Sequence, residues 1–172
     1  MGLMDALKGI VKAKEGVTPL SKQVLINKLL EINHEQVPFS VRAGEETDLV
    51  AEWKIVDAAW YEVFASAKME KNHKILINLD EGEQTARALE ESYSIQWRAG
   101  IPNISMKVEK FQGRTIGSKS FGSGYAFKGV DPLSFGQAYQ YRFDVSEMKK
   151  PLIAIITGGG WNFVPVVSRK KL

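Results

Sequence analysis

The 172-residue sequence has no cysteine, only two histidines and six prolines, and no apolar stretch as long as a membrane span. Without thiols, disulfide frameworks, zinc–thiolate sites, iron–sulfur clusters and thiol nucleophiles are all excluded. With His34 and His73 as the only imidazoles, a metal site would have to rest mainly on carboxylates. A spanning helix needs about 20 apolar residues, which no segment approaches. Met1–Gly16 also lacks the apolar core and small-residue cleavage site of a signal peptide. The expectation is a soluble, cytoplasmic protein.

What is present is ordinary for a globular domain: 44% hydrophobic residues, 25% charged residues and a formal net charge of +3. A chain of this length buries roughly two-thirds of the surface its unfolded form exposes, enough for one domain without a metal or cofactor. Such a modest positive charge does not by itself single out nucleic acid as a partner.

Leu3, Met4, Leu7, Ile10 and Val11 recur at helical spacing, with Lys8, Lys12 and Lys14 largely off the stripe. This predicts a short amphipathic helix ending near Gly16. A second helix is expected to open at a Thr18 cap with Pro19 in its first turn, and to run to about Asn33. From Val37 the period falls to two. Val37, Phe39 and Val41, then Leu49, Ala51, Trp53 and Ile55, predict half-buried strands on either side of the polar Gly44–Asp48 link. The stretch from Ala58 to Met69 suits either a helix or a strand; its aromatic and β-branched residues favour a strand.

Lys74–Trp97 reads as a β-hairpin, with Gly82 expected to supply a positive φ at the turn. Ile104, Met106 and Val108, and later Tyr139, Tyr141 and Phe143, resume the alternation. Residues 152–157 fit a hairpin arm or a short helix opened by Pro151 and closed by Gly158; the capping-box spacing of Asp144 and Glu147 favours the helix. The expected fold is α+β: two N-terminal helices, then a mainly antiparallel, curved sheet or open barrel of about seven to eight strands, with a short helix before the last strand. Residues 1–34 are expected to form a helical segment packed on a strand-rich domain of residues 35–172.

Near-motifs for chemistry fail on their mechanics. Gly113–Ser120 differs from a phosphate-binding loop by Ser118 in place of the second glycine, and poor helix formers follow Lys119. Gly158-Gly159-Gly160 opens like a dinucleotide fingerprint, but Phe163 replaces its last glycine and too little chain follows. His34 and His73 sit in polar surroundings where solvated or capping roles are expected. Glu45-Glu46-Thr47-Asp48 lacks calcium-loop spacing, and Glu90-Glu91 reads as a bulge or an exposed pair. The chain is therefore expected not to be an enzyme.

Three leads point to binding. The acid-free stretch from residue 110 to 129 interleaves Arg114, Lys119 and Lys128 with Phe121 and Tyr125, a pattern suited to single-stranded nucleic acid: cations for phosphates, rings for unpaired bases. Two strands joined by a glycine-rich turn, with the rings in the core, give the same pattern. Trp53, Trp60, Trp97 and Trp161 either fill a core or line a pocket for an apolar ligand. Met1-Gly2-Leu3-Met4-Asp5-Ala6-Leu7-Lys8 resembles the short amphipathic starts of many bacterial proteins, among them membrane-surface stress proteins of the phage-shock type; the resemblance covers residues 1–16 and carries no specific motif. Its stripe is expected to pack on the domain or on a second subunit, the alternative being peripheral membrane attachment with lysines on anionic lipid. The reading is a non-enzymatic binding module for a protein partner or a small apolar ligand, with nucleic acid and the membrane surface as alternatives.

Overall fold

The computed structural model describes residues 2–55, 60, 64–65, 71–98, 101–104, 119–121 and 142–172. In chain order these form α1 (Leu3–Lys8), α2 (Lys22–Leu30), β1 (Phe39–Ala43), β2 (Leu49–Trp53), β3 (Lys71–Asp80), β4 (Thr85–Arg98), β5 (Ile101–Ile104), β6 (Lys119–Phe121), β7 (Arg142–Asp144), α3 (Val145–Gly158), β8 (Asn162–Val166) and a final 3-10 turn, Arg169–Lys171. The class is α+β. Its open sheet is mixed and mostly antiparallel, with strands ordered β1-β2-β3-β4-β5 and β8 added to β4.

The 14-residue β4 organises the sheet. One edge pairs along its length with β3. The other is shared: Thr85–Leu89 takes β8 in parallel and Ile95–Arg98 takes β5 antiparallel. The single sheet of about seven to eight strands expected from the alternation does not form among the described residues, where β6 and β7 pair only with each other.

Alternation assigns the two faces. Phe39, Val41, Leu49, Ala51, Ile75, Ile77, Leu79, Ala86 and Ala88 turn inward. They pack beneath Leu25 and Leu29 of α2 and Met148, Leu152 and Ile156 of α3 in one core. Trp53, Trp60 and Trp161 are buried in that same core. Trp53 meets Phe39 edge-on at 6.0 Å and Phe64 at 6.2 Å, so these indoles fill the interior. Trp161 lies in the turn before β8 rather than on a strand, and the Trp97 side chain is outside the described residues.

Both N-terminal helices are shorter than their periodicity suggests. α1 stops at Lys8, because Gly9 takes φ +70° and the Gly9 and Ile10 amides bond back to Ala6 and Asp5, a paired C-terminal closure. Beyond it the chain is extended, and Val11 exchanges both backbone hydrogen bonds with Phe163 at 2.9 and 2.8 Å. α2 is capped by Ser21, whose Oγ accepts the Val24 amide, and not by Thr18. Pro19 and Leu20 are used elsewhere: the Leu20 amide bonds to the Gly159 carbonyl, and Pro19 lies against Gly160. Asn33 falls beyond α2 because its side-chain amide bonds both ways to the Val41 backbone, covering an edge of β1.

Three further expectations change. Phe64 and Ala65 are helical, with the Phe64 amide on the Trp60 carbonyl, against the strand favoured there; the rest of 58–69 lies outside the described residues. In the β3–β4 turn the positive φ belongs to Gln84 at +48° and not to Gly82, since Asp80 Oδ1 accepts the Glu83 amide and shapes the turn itself. The helix over 152–157 is present but begins at Val145, with Pro151 inside it, and its closing glycine is Gly160 at φ +81°, not Gly158. The Trp161 amide reaches the Ile156 carbonyl and the Gly160 amide reaches that of Thr157, the two bonds of a Schellman closure.

A Cβ on Gly160 would lie 2.7 Å from the Pro19 Cα in a backbone conformation that already disfavours side chains, whereas one on Gly82 would meet only ordinary contact. Gly160→Ala is therefore expected to cost about 2–4 kcal/mol in urea unfolding and Gly82→Ala less than about 0.5 kcal/mol. Equal effects of the two would contradict this account of the turn.

Candidate functional site

Of the residues singled out for nucleic acid, Arg114, Tyr125 and Lys128 lie outside the described residues. Lys119 and Phe121 fall two apart on β6, opposite Asp144 and Arg142 of β7. Lys119-Ser120 lies in a strand, where a phosphate-binding loop needs a helix to begin, so that near-motif lacks its helix dipole. Gly158-Gly159-Gly160 is spent on closing α3.

The outer face of the sheet holds a small apolar patch, Val50, Leu76 and Leu89, covered by Val166 and Leu172. Around it runs an ionic network that the sequence does not announce. Glu91 is the centre, with its side chain only 8% exposed. Arg169 grips it with two hydrogen bonds, Nε to Oε1 at 2.7 Å and Nη2 to Oε2 at 3.1 Å, while its Nη1 reaches Glu46 at 2.6 Å. The Tyr93 hydroxyl donates to Glu91 Oε2 at 2.6 Å, and Lys74 lies over the Tyr93 ring while pairing with Glu52. The Arg169 hydrogen bonds hold the Glu91 carboxyl below its usual range. Burial, then the bond to Glu91, pushes the Tyr93 phenol up to about 12.

Glu90 and Glu91 are thus neither a bulge nor an exposed pair. They occupy consecutive rungs of a regular ladder, opposite Ile75 and Lys74, and point to opposite faces. On the inner side Glu90 Oε1 pairs with Lys149 of α3 at 2.5 Å, and its Oε2 is buried with no hydrogen-bond partner among the described residues. His73, expected in a solvated role, is buried at 2% exposure opposite Ser92 on the same face. His34 is exposed, in keeping with its solvated reading. The acidic Glu45–Asp48 loop is a structural staple: Asp48 accepts the Leu79 amide and pairs with Lys22, and Glu46 belongs to the Arg169 network. Among the described residues no cluster of three potential ligands could hold a metal ion.

The surface left without a partner is at the N-terminus. α1 buries no residue; Leu3 is 79% exposed, Met4 64% and Leu7 62%. Among the described residues nothing buries this stripe: Gly9 turns the chain, and Val11 is the first side chain to reach the core's margin. Lys8, Lys12 and Lys14 are exposed beside it, and Asp5 touches Lys12 only at 3.8 Å. The segment behind α1 is firmly held: the Ala13 amide donates to Asn162 Oδ1, and the Lys14 amide to the Thr157 carbonyl. A second unfilled surface is a groove of about 230 Å³ between α2 and α3, beside Gly158 and Gly159. No helix among the described residues is long and apolar enough to cross a membrane.

No family model, curated protein or solved structure matches this chain.

Since Glu91 is held below its unfolded value of 4.5, its pairing with Arg169 stabilises the fold above that pH and is lost as the pH falls through the folded value. Glu91→Gln should cost about 1–3 kcal/mol at neutral pH, discounted from a fully buried pair because Arg169 is half exposed, and the difference from the unaltered chain should shrink as the pH falls below 4.5. A pH-independent difference would show that the Glu91 charge does not supply the effect.

Proposed function

We propose that this chain is a binding module that docks reversibly on anionic membrane surfaces through α1 and the lysines beside it. The observation that carries this reading is the exposure of Leu3, Met4 and Leu7 together, on a helix tethered to a rigid anchor at Val11. A six-residue helix has little stability of its own in water, since isolated helices shorter than about 12–15 residues are marginal. A second surface that takes up the stripe would supply what the domain does not.

The chemistry around the stripe favours lipid over an apolar protein groove. Lys8, Lys12 and Lys14 are exposed on or just after it, against two acids, Asp5 and Glu15. Each lysine near an anionic leaflet contributes about 1 kcal/mol, and each Leu or Met taken fully out of water about 1.5–3 kcal/mol. Three short apolar side chains and three lysines support reversible attachment, short of permanent anchoring. A helix bound in a protein groove usually offers anchors over two turns or more, and here the run is cut by Gly9.

The test is co-sedimentation with vesicles of phosphatidylcholine and phosphatidylglycerol in equal amounts, beside pure phosphatidylcholine. Binding to the anionic vesicles only is expected, falling as salt rises and the Debye length shrinks from about 10 Å at 0.1 M to about 3 Å at 1 M. Leu7→Asp should abolish it, and Lys12→Gln with Lys14→Gln should weaken it on the order of tenfold. Equal binding to both vesicles, or no loss with Leu7→Asp, would overturn the reading in favour of a protein partner or apolar ligand.

A further inference from the structure

We propose that Met4 is a redox-modification site: oxidation of its thioether to the sulfoxide by hydrogen peroxide releases the chain from anionic membranes, a role that rests on the docking proposed for α1. Sulfur in this protein is methionine sulfur alone, so no thiol consumes the oxidant first. Of the five methionines, Met1, Met69 and Met106 lie outside the described residues. The other two differ in access. Met148 is packed in the core at 0% exposure, whereas Met4 is 64% exposed on the stripe of α1. Methionine oxidation follows access to the sulfur, and among the described residues Met4 is the thioether that a dissolved peroxide reaches.

The step balances without a cofactor. A lone pair on the Met4 sulfur attacks one oxygen of hydrogen peroxide, and the S–O bond forms as the O–O bond breaks. The departing hydroxide takes up the proton carried by the transferred oxygen and leaves as water. The thioether loses two electrons and the peroxide gains them.

The consequence follows from where Met4 stands. It supplies one of the three large apolar side chains that α1 exposes together, beside Leu3 in the chain and on the same helix face as Leu7, three positions on. A sulfoxide is polar, and taking it out of water costs free energy where the thioether gained it. Gly9 ends the helix at once, so no later turn supplies a replacement anchor. The fold does not sense the change, because α1 buries no residue and the chain is first held to the domain at Val11. Exposure also makes the modification reversible: the reductases that act on each sulfoxide epimer have the same open access as the oxidant.

Brief peroxide treatment of the full chain tests the proposal, read by peptide mass mapping and by co-sedimentation with the vesicles of phosphatidylcholine and phosphatidylglycerol. Met4 is expected to gain one oxygen well before Met148, and vesicle binding to fall about tenfold while Met148 is still unmodified. The two sulfoxide reductases together should restore it. Met4→Leu, whatever its own affinity, should bind equally before and after treatment, and untreated Met4→Gln should bind as weakly as the oxidised chain. Oxidation of Met148 ahead of Met4, unchanged binding by a chain fully oxidised at Met4, or a loss that persists in Met4→Leu would overturn the proposal and leave the membrane reading standing. A chain that ignores the vesicles before treatment would sink that reading, and the proposal with it.

Discussion

The reversal between α3 and β8 is the constraint on which the molecule depends. Gly160 takes a positive φ that lets Trp161 turn into the core, and it has no side chain, which lets Pro19 lie against it. Around that point the N-terminal segment is stitched across the turn. Leu20 bonds through its amide to Gly159 and through its carbonyl to the Trp161 indole, Lys14 bonds to Thr157, and Val11 bonds to Phe163. Residues 149 apart in sequence, Ala13 and Asn162, meet as a result. The stitching sets α2 beside α3 over the sheet, forms the groove between their ends, and leaves α1 beyond the last stitch. The exposed stripe and the unfilled groove are two consequences of one packing decision.

The sheet's two faces divide the other work. The inner face is a continuous apolar core interrupted at its margin by Glu90, His73 and Ser92, with Lys149 brought down from α3 to neutralise the carboxylate. The outer face is polar, and its small apolar patch is roofed by Leu172 while Arg169 is gripped by Glu91. A buried carboxylate with one guanidinium fork and one phenol is satisfied in geometry as well as charge, the condition under which a partly buried ion pair stabilises a fold. These groups hold the last turn of the chain down.

Much of the fold is legible in the sequence because it rests on local period. Phe39–Val41, Leu49–Trp53 and the long hairpin of β3 and β4 keep an apolar residue at every second position on the core side even though the other face is mixed, and the helix over 152–157 follows from an apolar run ahead of glycines. What is not legible depends on distant partners. Thr18-Pro19 has the chemistry of a helix start, yet Pro19 and Leu20 are claimed by Gly159 and Gly160, far along the chain. Ile10 and Val11 continue the stripe of α1 by spacing, but pairing with Phe163 outweighs it. Gly82 looks like the turn residue, while the Asp80 side chain shapes the turn. The functional surface follows the same rule. The periodicity of Leu3, Met4 and Leu7 is plain in the sequence, but that they stay uncovered is set by where Val11 is pinned, and the pairing of Glu91 with Arg169 has no sequence signal beyond an arginine near one end of the chain.

Amide hydrogen exchange on the dilute protein tests the stitching and its consequence together. The account predicts that the amides of Val11, Leu20 and Phe163 exchange only with global unfolding, while those of Leu3–Lys8 exchange nearly as fast as an unstructured peptide. Protection of the α1 amides equal to that of Leu20 and Phe163 would mean that the helix is packed against a covering surface in solution, and would contradict the account.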